Sequence, residues 1–207
     1  MQNKLGRLTA AACFGLTLTF AASPVQSKVI LKERVTFYDV RGNNGREIYR
    51  SMVKNGPSAG RKLGDVLATL EVDIETTNVE FTVNKNRCIP SDVDVLVRAK
   101  FTYPRWKKTS AASKATRRAW RDFFAMVKWH ENQHLKIALD YAKEYEESFL
   151  KTKFRRDGDC NLNSLAFKMR MAPSDIILER RNRQFDRKDL RPGGRGYEAQ
   201  LKLFNAK

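Results

Sequence analysis

Apolar and polar residues alternate along one part of this chain and recur at helical spacing along another. Leu70, Val72 and Ile74 interleave with Glu71, Asp73 and Glu75, and Val79, Phe81 and Val83 interleave with Glu80 and Thr82. A longer run sets Val93, Val95, Val97, Ala99, Phe101 and Tyr103 against Asp94, Leu96, Arg98, Lys100 and Thr102. Period two marks strands with one buried face, so these segments predict a small antiparallel sheet with a wet side. Thr76-Thr77-Asn78 reads as a hairpin turn between the first two, and Pro104 as the end of the third. Upstream, VTFYDV at 35–40 reads as a short strand.

Helical signals flank these strands. Asn44 with Glu47 three residues later forms a capping box, and Ile48, Tyr49 and Met52 share the face that follows. Asn55-Gly56-Pro57 stops this helix. From about Ser113 the apolar period lengthens: Trp120, Phe123, Phe124 and Val127, then Ala138, Tyr141, Ala142 and Tyr145, predict one long helix to about Phe154. A last helix is expected from Asn161 to Phe185, interrupted near Pro173, and residues 192–207 read as a loose basic tail in which Tyr197, Leu201 and Leu203 can dock. The fold class expected is α+β, with the small sheet packed against the long helix.

The N-terminus follows a different logic. Lys4 and Arg7 precede an apolar run that ends near Ala22, and small residues follow to Ser27. That three-part order is a secretory signal peptide over residues 1–27, too short an apolar run for a membrane span. The mature chain then keeps Cys88 and Cys160, which in an exported protein most simply pair as one disulfide. They lack the paired C-x-x-C spacing of a zinc knuckle. Net charge is +17, and +15 once Lys4 and Arg7 are removed (17 − 2). Such a surface attracts polyanions, and for an exported chain those are acidic envelope polymers and anionic lipid; no specific nucleic-acid motif is visible.

The composition includes 2 His, and both fall in WHENQHLKIALD, residues 129–140. His130 and His134 lie four apart, one turn apart on a single helix face, where two imidazoles can hold one Zn2+ ion. Glu131 is rotated by about 100° and can act as general base on a water activated by that metal, which is the chemistry of peptide hydrolysis. The alternative is a pair of hydrogen-bonded core histidines with Glu131 on the surface. A catalytic zinc takes three protein ligands. Asp140 lies on an unbroken helix and points away from the histidines, and Glu144 and Glu146 share that geometry, so the third ligand lies elsewhere.

Several segments together resemble a bacterial family of predicted secreted zinc-dependent proteases, domain of unknown function 922. They are Tyr38-Asp39-Val40 with Gly42, Met52 to Pro57, Cys88, Val95 to Trp106, Trp120 with Phe123, HENQHLKIALDYA, Cys160, and NRQFD at 182–186. The resemblance implies an exported zincin-like metallopeptidase domain over residues 28–191, with His130 and His134 as ligands, Glu131 as base, Cys88 paired with Cys160, and a peptide or protein as substrate. The family's C-terminal pattern carries a His where this chain has Arg191. Either Asp186 or Asp189 then supplies the third ligand, with Asp186 the first choice, or water completes a two-His site, or activity is lost and the chain is a basic envelope-binding relative. An ion pair from Asp186 to Arg183 or Lys188 competes with ligation.

Overall fold

The structure is a computed structural model that describes residues 28–57, 67–155, 160 and 175–207. The signal-peptide segment and residues 161–174 lie outside the described residues. Among the described residues four strands and four helices follow in the order β1 (Lys28–Val40), α1 (Gly45–Asn55), β2 (Thr69–Asn84), β3 (Arg87–Trp106), α2 (Lys114–Lys151), β4 (Phe154–Arg155), α3 (Asp175–Asp189) and α4 (Arg195–Phe204). The class is α+β.

The sheet is mixed, in the order β1-β3-β2, which corrects the antiparallel expectation. β2 and β3 form an antiparallel hairpin, but β1 runs parallel to β3 from Lys28↔Asp94 to Val40↔Trp106. Alternation reports which face is buried, not which way the neighbour runs, so it could not reveal this direction. The turn expected at 76–78 is instead a bulge, with the register slipping between Thr77 and Glu80. Asn78 adopts φ 49° there, a conformation asparagine tolerates, and its amide reaches Asp94 Oδ2 at 2.7 Å. The hairpin turns later, where Lys85 takes φ 53°. Pro104 does not end β3. Pairing with β2 begins at Thr102, so beyond it β3 has a neighbour on one side only and a missing N–H is tolerated.

The inner face of β3 is the floor of the core. Val93, Val95, Val97 and Ala99 are buried against α2, which lies along that strand. Phe123 is fully buried, in one core cluster with Val40, Ile48, Met52 and Trp106. Asn44 caps α1 by accepting from Glu47 N at 3.0 Å, and Ser113 caps α2 by accepting from Thr116 N at 3.0 Å. α2 ends at Lys151, short of Phe154, because Phe154 pairs with Cys88 in β4 and buries its ring there. Cys88 and Cys160 are joined, with Cα atoms 5.8 Å apart.

The C-terminal residues are not loose. α4 packs on α1 and α2, and Leu203 is fully buried. Gly45 makes this docking possible, since a Cβ there would come within 1.7 Å of Leu203 O. By contrast, Ile176 and Ile177, expected on the apolar face of the last helix, are exposed. Among the described residues, no helix is long and apolar enough to cross a membrane.

Candidate metal centre

α2 carries His130, Glu131 and His134 on the flank that faces β2, and α3 runs antiparallel to α2 over the same flank. Three contacts fix that pairing: Arg181 meets Glu144, Asn182 meets His134, and Asp189 meets His130. Between α2, α3 and the outer edge of β2 lies a cleft of about 490 Å³, into which all three motif residues project. His130 and Glu131 are buried, and His134 is partly buried.

The hydrogen bonds define which nitrogens are free. His130 donates Nδ1–H to Asp189 Oδ2 at 2.7 Å, and His134 donates Nδ1–H to Asn182 Oδ1 at 3.0 Å. A neutral imidazole that donates through Nδ1 has only a lone pair at Nε2. The two Nε2 atoms are 3.2 Å apart and face each other. Asp186 Oδ1 sits 3.3 Å from the first and 3.0 Å from the second, buried and without a hydrogen bond of proper geometry. Three electron-pair donors therefore converge, an arrangement that favours a cation or proton shared among them. Two ligands on a tetrahedral zinc with bonds of about 2.0–2.2 Å lie about 3.3–3.5 Å apart, close to the spacings seen. His130, His134 and Asp186 thus form a cluster that can hold a metal ion.

The electrostatics agree. Burial favours a neutral Asp186, yet the two imidazoles outweigh it and hold the carboxyl well below its ordinary range. Burial opposes charge on His130 as well, but Asp186 and Asp189 raise it above its ordinary value; Asp186 and Asn182 do the same for His134. Without metal the cluster attracts protons. For Glu131, burial is the main influence and raises the carboxyl, with the two imidazoles opposing it; a backbone hydrogen bond with Leu70 on β2 holds it in the cleft.

Every residue singled out in the motif reaches this cleft. Asp186 joins the histidines and not Arg183, which pairs with Glu179. Asp140 pairs with Lys136 and Glu144 with Arg181, so neither approaches the centre. Arg191 is exposed. Sequence reasoning missed Asn182 as the residue that orients His134, and it treated Asp189 as an alternative ligand where the structure has it orienting His130. The signal was readable: Asn182, Asp186 and Asp189 are spaced i, i+4, i+7, one face of a helix. Phe185 packs against both imidazoles at 4.9 and 5.1 Å between ring centres.

No curated protein and no solved structure matches the chain. A family model does match, described as bacterial protein of unknown function (DUF922), over residues 35–194, and the span includes every donor of the cluster, both cysteines and Glu131. The chain belongs to the DUF922 family of bacterial proteins.

Proposed function

We propose that this protein is an exported zinc-dependent peptidase with a zincin-type site. One observation carries the reading: two Nε2 lone pairs and an otherwise unbonded buried carboxylate oxygen converge beside a buried glutamate. The donor set of two imidazoles and one carboxylate suits zinc, and His130, His134 and Asp186 would hold it. Bound there, zinc would supply a Lewis acid that acidifies water and polarises a carbonyl.

The remaining work falls to the chain's own residues. Asp189 and Asn182 fix both rings with Nε2 inward, the usual task of groups behind a metal ligand. Glu131 accepts the proton of the attacking water and returns it to the leaving amine nitrogen. Its burial raises its basicity toward the range where a carboxylate serves as base near neutral pH. The three-part N-terminal pattern and the Cys88–Cys160 bridge support an oxidising, exported setting.

The rival reading is a scaffold without turnover, acting through its basic surface on acidic envelope polymers or anionic lipid. It drew on Arg191 in the place of the family's His. Asp186 offers the third donor from within α3, before Arg191, which supports turnover instead. The test is hydrolysis of an unstructured protein by the zinc-loaded chain, compared with Glu131→Gln. We expect cleavage by the parent, and a variant that keeps zinc and loses about 10²-fold or more in rate. A parent that binds zinc and cleaves nothing, or a fully active Glu131→Gln, would overturn the proposal. Retention on an acidic polymer that fades with salt would establish the basic-surface role separately.

A further inference from the structure

The metal cluster divides its cleft into two unlike halves. β2 runs the same way as α2 along it, since Leu70 meets Glu131 and Thr76 meets Tyr145, and α3 runs the opposite way. Toward the start of α2, one turn before His130, the walls are Met126 and Val127 from α2, Leu67, Ala68, Thr69 and Leu70 from the β2 side, Leu190 from the end of α3, and Gln200 from α4. Apart from Thr69 and Gln200 these walls are apolar, and none of them is charged. Toward the other end of α2, beyond His134, the walls include Glu179 and Asn182.

Charge sharpens the contrast. Among the described residues, no Lys or Arg lines this cleft. An acidic side chain entering the apolar half would leave water and meet no cation among the described walls. A lysine there would likewise lose hydration with no acid on these walls. Burying an unpaired charge is the costliest way to fill such a space, and burying methylenes is favourable. Val127 and Met126 are themselves buried, so this half is a formed pocket wall and not a surface patch.

We propose that this apolar half is the specificity subsite of the enzyme and takes a large apolar side chain, leucine, methionine or phenylalanine, of the residue next to the bond cleaved. The inference rests on the peptidase reading of the metal centre. It identifies Leu190 as a residue that tunes selectivity: Leu190 lines the subsite yet is 42% exposed, so replacing it leaves the core closed.

The test uses the full zinc-loaded chain and a series of N-acetyl-amino-acid hydroxamates, whose hydroxamate binds the metal whatever the side chain. Affinities for the leucine, phenylalanine, alanine, aspartate and lysine members are measured by calorimetry. We expect leucine and phenylalanine to bind about tenfold or more tighter than alanine, with aspartate weakest. In Leu190→Glu the ratio of leucine to alanine affinity should fall at least about threefold and the ratio of lysine to alanine should rise. The quantity read is a ratio within each protein, which a general loosening of the site would not invert. Equal affinity across leucine, alanine and aspartate, or a Leu190→Glu ranking identical to the parent's, would overturn the subsite. A correct ranking with no peptide cleaved would refute hydrolysis and leave the subsite standing. No binding of any hydroxamate to the zinc-treated chain would overturn the metal centre and the subsite together.

Discussion

Replacing Asp189 separates the residues that hold a metal from those that aim its ligands. Asp189 is 6% exposed and its Oδ2 lies 2.7 Å from His130 Nδ1, so the bond is short, charge-assisted and shielded from water. It contributes in two ways: it fixes the ring so that Nε2 faces His134, and it makes that nitrogen a stronger donor. Loss of such a partner costs about 10–100-fold in metal affinity, or about 1.4–2.8 kcal/mol. Asp189→Asn keeps an acceptor oxygen and should fall near the lower figure. Asp189→Ala leaves a buried N–H unpaired and should fall near the upper one. Asp186→Ala removes a ligand itself and should exceed both. Competition with a chelator of known zinc affinity measures all three, with thermal unfolding checking that each variant folds. Because α4 abuts this carboxylate (a Cβ on Gly196 would lie 2.5 Å from Asp189 Oδ2), the conservative asparagine variant is the cleaner test. Parent-like zinc affinity in Asp189→Ala, or a smaller loss in Asp186→Ala than in Asp189→Ala, would refute the division of roles.

Four further outcomes are expected. Zinc must displace protons from imidazoles whose carboxylate neighbours raise them above their ordinary value, so affinity should fall as pH drops through and above the usual histidine range, by about tenfold per unit for each proton displaced; a flat pH profile in chelator competition would contradict this. The metal-free chain should behave oppositely: a raised imidazole stabilises the fold fully below its unfolded value of about 6.5 and loses that contribution as pH rises through the folded value, which denaturant titration at several pH values would detect. Replacing Cys88 and Cys160 by serine opens a loop with 72 residues of separation and should cost about 4–5 kcal/mol in the chain-entropy model, while Phe123→Ala, at the fully buried centre of the core, should cost about 3–5 kcal/mol; urea midpoints of each variant against the parent give both figures.

The faces of the sheet and the long helix were legible because burial writes itself into the sequence at fixed periods. Val93 to Tyr103 alternate as read, Ser113 and Asn44 cap the helices they were expected to open, and His130 and His134 project from the apolar stripe into a cleft. What stayed hidden depends on distant parts of the chain. The direction of β1 is set by its partner on β3, and the bulge at Asn78 looks in sequence like a turn. Asp186 follows His134 by 52 residues, and only the antiparallel docking of α3 on α2 brings its carboxylate to the imidazoles. The docking of α4 is equally hidden, since it depends on a missing side chain at Gly45, a residue 158 positions before Leu203.

The central claim is that His130, His134 and Asp186 share one zinc ion, and X-ray absorption of the zinc-loaded chain tests it most directly. The account predicts one zinc per chain, two imidazole nitrogens at about 2.0–2.1 Å, carboxylate oxygen at about 2.0–2.2 Å and no sulfur, with one imidazole lost in His134→Ala. A sulfur shell near 2.3 Å, fewer than two imidazoles in the parent, or no zinc taken up at micromolar concentration would contradict it.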